Sequence, residues 1–363
     1  MSFSQRFRKA PLFWERRGPT SVLLWPLSWL YGQVLRLRKL IGDLNLFNTK
    51  PVAVPVIIVG NIRVGGTGKT PIVIALAQKL SALGWRPGII SRGYGSTAHS
   101  GTGPLQVLST SDPSTAGDEP VLIAKRTQDH FPIWVYPKRK ESIAALLQNH
   151  PAVNVIISDD GLQHTGLPRW PAREGGRDIE FVVRDERGEG NHFLLPAGPL
   201  REPAQRDRDA TLVTGKSNAT SANLNEYFQG RRAFTLISQL GLAYALNDPG
   251  QQQSLDSIAQ QHPPESITAV AALGNPKRFF NALEQYGIHA KRIGLPDHST
   301  YTAGFFSAIR AQCILITEKD AVKCTGITDE RIWVVPMSVV IPDALSQWMQ
   351  SILQRPDPNQ YTL

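Results

Sequence analysis

The chain has 363 residues, 41% of them hydrophobic and 19% charged, which is enough apolar content for a packed core and argues against a disordered polymer. With only two cysteines, Cys313 and Cys324, a disulfide framework is not expected and a reducing compartment fits. The net charge of +9 is concentrated at one end: Arg6, Arg8, Lys9, Arg16, Arg17, Arg36, Arg38 and Lys39 face only Glu15 within the first 40 residues, so the remainder is almost neutral and a general nucleic-acid-binding surface loses its support.

Between the two basic clusters, residues 21–35 form an apolar run interrupted by Pro26, short of the roughly 20 apolar residues a bilayer span requires. Three readings stand. A helix lying in the membrane interface would place Trp25 and Trp29 at headgroup level and the flanking cations near anionic lipid. A cleaved signal peptide shares the basic start and the apolar run, but no small-x-small cleavage site follows. An amphipathic helix packed on the protein body is the third. We expect the interfacial helix, in a membrane-associated segment spanning residues 1–45.

From residue 51 the pattern alternates strands and helices. The β-branched run at 54–59 predicts a buried strand, followed by a Gly-rich turn and helical spacing over 71–80. Strands are predicted at 87–91, 131–136, 153–158, 179–183 and 210–214, with a helix over 121–126 behind Gly117-Asp-Glu-Pro120. Residues 216–230, rich in Asn and Ser, read as a boundary. A second series follows, with strands at 267–273, 313–317 and 332–336 and a helix over 276–286. Repeated strand–helix–strand units imply a mostly parallel sheet covered on both faces. The expected architecture is α/β: a P-loop NTPase-like domain at 46–230, a smaller Rossmann-like α/β domain at 231–345, and a C-terminal helix and tail at 346–363.

The sharpest local motif is Gly60-Asn-Ile-Arg-Val-Gly-Gly-Thr-Gly-Lys-Thr-Pro71, set between a strand and a helix as a phosphate-binding loop requires. Small residues let backbone N–H groups point inward at phosphate, and the helix N-terminus adds a favourable field. The expected nucleotide contacts are Arg63, Val64, Gly65, Gly66, Thr67, Gly68, Lys69 and Thr70. Lys69 would neutralise the β- and γ-phosphates, and the Thr70 hydroxyl would hold Mg²⁺. Arg63 stands where the common pattern has glycine. Asp159 and Asp160 follow a Val/Ile strand, the usual place of a metal-binding acid; which of them contacts the metal is open, and the alternative is a turn that merely ends in two acids. Asp118, at a loop-to-helix junction, reads either as a helix cap or as a carboxylate presented to the site.

The ordered set of motifs resembles the tetraacyldisaccharide 4′-kinase family, the lipid A 4′-kinases of Gram-negative bacteria. The likeness is carried by residues 64–71, Ser91-Arg-Gly-Tyr-Gly95, Gly117-Asp-Glu-Pro120, Asp159-Asp-Gly-Leu-Gln-His164, Leu194-Leu-Pro-Ala-Gly-Pro-Leu-Arg-Glu202, Pro296-Asp-His298 with Tyr301, and Thr317-Glu-Lys-Asp-Ala-Val-Lys323, with Ala10-Pro-Leu-Phe-Trp14 and residues 26–31. It covers residues 10–340, and in this family's version of the loop Arg63 is no defect. The stretch 165–176 departs from the family as a surface insertion.

The resemblance implies ATP and Mg²⁺ as cofactors and transfer of the γ-phosphate to the 4′-hydroxyl of a tetraacylated glucosamine disaccharide 1-phosphate. It implies Asp118 as the base that takes the hydroxyl proton and His298 as its partner, with Lys69 the third catalytic residue. Arg92, Gln163, His164, Arg201 and Glu202 are weaker substrate-side candidates. The partners expected are the lipid A disaccharide precursor and an anionic membrane surface, with no nucleic acid and no obligate protein partner. The expected location is peripheral, on the cytoplasmic face of the inner membrane. A membrane-associated switch or partitioning ATPase, without a sugar acceptor, would share the loop and the basic segment but would not need Asp118.

Overall fold

A computed structural model of the chain describes residues 11–43, 52–93, 103–164, 166–167, 169–215 and 231–356. Arg6, Arg8 and Lys9, Tyr94 and Gly95 of the Ser-Arg-Gly-Tyr-Gly motif, and the polar stretch 216–230 lie outside the described residues.

Strands β1 (Val56–Gly60), β2 (Pro87–Ser91), β3 (Leu105–Val107), β4 (Ile133–Val135), β5 (Val155–Asp159), β6 (Ile179–Arg184), β7 (Ala210–Thr214), β8 (Ala233–Leu240) and β15 (Met337–Val340) form one sheet. Its order is β15-β8-β7-β6-β1-β5-β2-β4-β3, parallel except at the two edges, where β3 and β15 run antiparallel. A second sheet holds β9 (Ala243–Ala245), β10 (Gln252–Gln253), β11 (Ile267–Ala271), β12 (Lys291–Gly294), β13 (Cys313–Thr317) and β14 (Ile332–Val335), in the order β10-β9-β14-β13-β11-β12 with four parallel strands at its centre and edge. The helices are α1 (Pro19–Asp43), α2 (Lys69–Ala82), α3 (Pro113–Ala116), α4 (Asp118–Thr127), α5 (Arg139–Asn149), α6 (Leu255–Gln261), α7 (Pro276–Gln285), α8 (Ala303–Ser307), α9 (Glu318–Ala321) and α10 (Asp343–Leu353).

The central strands are unbroken Val/Ile runs because both of their faces are covered. The pleat sends Ile57 and Val59 of β1 to the side of α2 and α4, and Val56 and Ile58 to the side of α5. In each sheet the chain reverses its direction of travel beside the first parallel strand: β1 lies between β5 and β6, and β11 between β12 and β13. Such switch points open a crevice at the carboxyl ends of the strands. Here the two crevices meet, since the loop after β11 brings Gly274 against Gly65 and Gly66 of the loop after β1.

The expected domain boundary needs correction. β8 pairs in parallel with β7, so residues 216–230 connect two strands of one sheet instead of two domains. The chain crosses to the second sheet at Gly241, whose N–H donates to Pro336 O (2.9 Å), and returns through β15. Helix α10 then packs on the first sheet: Leu345, Met349, Ile352 and Leu353 join its core, and Lys79 meets Asp343 at 3.1 Å. A polar crossover and a polar linker have the same composition, which is why the sequence misplaced the boundary.

Helix α1 continues through Pro26 to a length of 25 residues, although the ring removes the donor to the Val22 carbonyl. It docks by a narrow stripe. Ser21, buried, donates to Phe13 O (2.9 Å), Ser28 donates to Leu194 O (2.5 Å), and Tyr31 donates to Arg201 O (3.0 Å). The rest faces outward, with Leu23 80% exposed and Trp25, Leu27, Trp29, Leu30, Val34, Leu37 and Leu40 each about half exposed. Among the described residues no helix is long and apolar enough to cross a membrane.

Candidate active site

The loop after β1 is braced from inside. Asn61, fully buried, donates to Arg63 O (2.5 Å) and Gly65 O (3.3 Å), while its Oδ1 accepts from Lys69 Nζ (3.1 Å). Gly65 and Gly68 have φ of 102° and 78°, a region in which a side chain would be strained. Helix α2 starts at Lys69 with no side-chain cap, which leaves its first-turn N–H groups for an anion. Thr67 and Thr70 are buried beside it, and Thr67 Oγ1 has no hydrogen-bond partner among the described residues.

Two of the expected nucleotide positions are occupied otherwise. The Arg63 guanidinium pairs with Glu15 and donates to the carbonyls of Arg187 and Gly188 (3.2 Å each). The Val64 N–H donates to Pro199 O (2.9 Å). Arg63 thus ties the loop to the N-terminal segment, and Val64 ties it to the Leu194–Glu202 stretch.

The two acids differ sharply. Asp160, held at φ 49°, meets Lys69 and Arg201 at 3.4 Å each. Burial pushes its carboxyl up, but Lys69 and Arg201 outweigh that and leave it lowered. Asp159 is 1% exposed, and neither carboxylate oxygen accepts a hydrogen bond from a described residue. Burial, with Glu119 adding, pushes it up to about 7. Arg139, fully buried at the start of α5, donates to Asp159 O (2.5 Å), and burial lowers its own value to about 10. A buried carboxylate that no described residue donates to, like the unpartnered Thr67 hydroxyl on the phosphate loop, fits the donor chemistry of a divalent cation, which would offset the cost of burying that charge. Mg²⁺ suits a site with few carboxylates, since it keeps several waters.

The base candidate is assembled from both sheets. Gly117, at φ 96°, is the cap of α4, so Asp118 is freed from that role and turns its carboxylate to His298 Nδ1 at 3.2 Å. His298 comes from the loop after β12, 180 residues away in sequence, and is itself held at φ 61°. Left-handed conformations at Asp160 and His298 are strained, and such strain concentrates at functional sites. Next to Asp118, Glu119 pairs with Lys319 at 3.0 Å; Lys319 and then Lys69 hold its carboxyl low against burial.

Of the substrate-side candidates, Arg201 meets the acid pair directly, and Gln163 and His164 follow that pair in the same loop. Arg92 is exposed at the end of β2, within electrostatic reach of Arg139 and His164. Gln163 donates to Asn61 O (3.0 Å), His164 Nε2 meets Pro137 O (2.8 Å), and burial lowers the imidazole's value. Arg201 reaches Asp160, whereas Glu202 is taken by Arg206. Described parts of the 165–176 stretch are folded down instead of lying loose on the surface: Leu167 is buried, and Arg169 bonds Glu180 (2.5 Å) and His164 O (2.7 Å), buttressing the acidic loop.

Sequence reasoning gave no individual role to Asn61, Glu119 or Lys319, although each stood in a motif it singled out, and it missed Arg139, Arg187, Gly274 and Arg278. Arg187 donates to Gly66 O (2.8 Å) and Arg278 to Thr67 O (3.1 Å), so cations from two directions hold the loop's carbonyls. Glu119 was visible in the Gly-Asp-Glu motif. Arg139 reads as part of a solvated Lys-Arg-Lys run, and Arg278 as an ordinary helix residue.

The family model described as tetraacyldisaccharide-1-P 4′-kinase matches residues 20–354. The chain is 69% identical to the tetraacyldisaccharide 4′-kinase of Polynucleobacter asymbioticus, with all of both chains covered. It is 42% identical to the enzyme of that name from Herminiimonas arsenicoxydans, over 92% of each. A crystal structure of the "apo" form of LpxK from Aquifex aeolicus in complex with ATP shares the fold at TM-score 0.70 and 27% identity, covering 92% of this chain and 99% of that one. With its phosphate loop, acid pair and Asp118–His298 contact in place over that whole length, the chain belongs to the tetraacyldisaccharide-1-P 4′-kinase family.

Proposed function

We propose that the protein transfers the γ-phosphate of ATP to the 4′-hydroxyl of a tetraacyl glucosamine disaccharide 1-phosphate, a precursor of lipid A. The observation that carries the residue roles is the Asp118–His298 contact at 3.2 Å, made beside a phosphate loop and an acid pair in a chain of this family. Phosphoryl transfer depends on positioning and charge neutralisation more than on covalent chemistry. The backbone from Gly65 to Thr70 and the Lys69 ammonium hold the phosphates. Thr70 and Asp159 would hold Mg²⁺, which neutralises phosphate charge when bound. Asp160 keeps Lys69 in place from the other side. Asp118 accepts the 4′-hydroxyl proton as the new O–P bond forms and the β–γ bridge breaks, releasing ADP. His298 orients that carboxylate. Arg92 and Arg201 neutralise the acceptor's own phosphate and the approach of the two anions.

The outward apolar face of α1, with exposed Arg16, Arg17, Arg36, Arg38 and Lys39 at its ends, supports peripheral attachment to an anionic lipid surface at the cytoplasmic face of the inner membrane. The lipid substrate resides in such a surface, so the helix brings the site to it.

The test is an assay of γ-labelled ATP with and without purified tetraacyl disaccharide 1-phosphate. Label should enter the lipid, and ADP should form only when lipid is present. ADP formation indifferent to lipid would instead support a switch ATPase and overturn the kinase reading.

A further inference from the structure

Residues 317–323, Thr-Glu-Lys-Asp-Ala-Val-Lys, take no part in the chemistry above, yet two adjacent side chains here, Glu318 and Lys319, bind the second sheet to α4 of the first, while Thr317 and Asp320 brace the segment from within. Thr317 caps α9 and its hydroxyl meets Asp320 (2.6 Å). Asp320, fully buried, accepts from Ala272 N (3.2 Å), which fixes the loop that leads to Gly274 and thus to the phosphate loop. Glu318 pairs with Arg126 at 2.6 Å in the last turn of α4. Lys319 pairs with Glu119 at 3.0 Å in the first turn of the same helix, and with Asp297 at 3.3 Å.

The charges are complementary along α4: an acid at its start faces Lys319, and a base at its end faces Glu318. The two anions that Lys319 holds are the chain neighbours of Asp118 and His298. One is on the first sheet's side of the interface and the other on the second's. Lys319 Nζ is therefore the only atom among the described contacts that bonds a residue beside each member of the Asp118–His298 pair. The site around Lys319 is enclosed, with its side chain 14% exposed. Burial acts to lower the ammonium's value, but Glu119 and Asp297 outweigh it and the value is raised, so the cation persists.

We propose that Lys319 is a positioning residue that sets the distance between Asp118 and His298 by clamping Glu119 and Asp297 across the domain interface. This rests on the reading of Asp118 as the base. Removing the cation leaves two carboxylates facing each other without neutralisation and lets the interface open. A displacement of about 1 Å at a reacting group costs on the order of 100-fold in rate. The nucleotide phosphates are held by other residues, so the loss falls on turnover and not on ATP recognition.

The experiment compares Lys319→Met, Lys319→Arg, Asp297→Asn, the Lys319→Met/Asp297→Asn double variant and Asp118→Asn in the full chain. It measures kcat, KM for ATP, melting temperature, and hydrogen exchange of residues 118–127. Lys319→Met should lower kcat about 10- to 100-fold with KM for ATP within about twofold of the parent, and should speed exchange in the first turn of α4. Lys319→Arg should recover most of that loss, and the double variant should lose no more than Lys319→Met alone, as expected of coupled residues. Turnover within twofold of the parent for Lys319→Met, with Asp118→Asn inactive, overturns the clamp while leaving the base intact. Losses that multiply strictly also overturn it. An active Asp118→Asn removes the base reading instead. If Lys319→Met does not fold, Asp297→Asn decides: reduced kcat at unchanged ATP KM supports the clamp, and parental kcat overturns it.

Discussion

The two halves of the candidate site are built on different plans. The candidate phosphate half is one loop and one strand end of a single sheet, with Asn61, Lys69 and Asp160 cross-bonded at 3.1–3.4 Å. The candidate acceptor half is a contact between two sheets: Asp118 from α4 and His298 from the loop after β12. A phosphate cradle must be rigid before its ligand arrives, because preorganised donors act without reorganising during reaction. A base that meets a bulky lipid acceptor needs access, and a joint between two domains provides it. The difference teaches where each half is vulnerable: the first to loss of a charge, the second to loss of alignment.

The largest effect should come from the rigid half. Lys69→Ala and Thr70→Ala should each reduce transfer by on the order of 1,000-fold or more, through loss of phosphate neutralisation and metal coordination. Folding, followed by circular dichroism, should survive. Near-parental turnover in both variants would break the assignment of this half.

Next comes the joint. Asp118→Asn keeps size and most hydrogen bonding but accepts no proton, so kcat should fall by about 100- to 10,000-fold with ATP affinity unchanged. His298→Ala should cost less, and the double variant should lose less than the product of the single losses. Strict multiplicativity would mean that the 3.2 Å contact is not functional.

A smaller effect, on stability, sharpens the contrast between the two acids. The Asp159 carboxyl is raised to about 7 in the folded protein, against about 4 in an unfolded chain. The folded state therefore binds this proton more tightly; its advantage is full below about pH 4 and is lost as pH rises through 7. Asp159→Asn should thus raise the melting temperature of metal-free protein at pH 8 by a few degrees, with little change at pH 4.5. Mg²⁺ should stabilise the parent more at pH 8 than at pH 6, since metal and proton compete for one carboxylate, and should not stabilise the variant. Equal melting temperatures at pH 8 would show that Asp159 is not a strained, bare acid.

The smallest effects belong to α1. Each basic residue near an anionic surface contributes about 1 kcal/mol, so Arg36→Gln and Lys39→Gln should each weaken binding to anionic vesicles about fivefold, and rising salt should erase the difference. Replacing Trp25 and Trp29 with Ser should weaken binding to neutral vesicles too. Co-sedimentation indifferent to both changes would mean that the exposed face meets something other than lipid.

By itself the sequence determined what depends on contiguous residues. The apolar runs predicted the strands at 87–91, 210–214 and 313–317 with the same limits as the structure, because a strand buried on both faces reads as a short, near-continuous apolar stretch, here closing on a small hydroxyl residue. The phosphate loop and the acid pair were legible for the same reason: one segment supplies each. Shorter or half-exposed strands escaped. β3, β9, β10, β12 and β15 are brief or edge elements, the eight-residue β8 is only partly buried, and β8 with β15 moved the domain boundary as a result. Only the tertiary structure decided which of two adjacent acids is bare, because that depends on Lys69 and Arg201 reaching one and not the other. It alone paired the Arg63 guanidinium with Glu15 of the N-terminal segment, since that partner lies 48 positions upstream. It also brought Asp118 within 3.2 Å of a histidine 180 positions away, a contact that exists because the carboxyl ends of two sheets face each other. Local pattern encodes burial and turn geometry, whereas contacts between distant charges depend on how the sheets are packed.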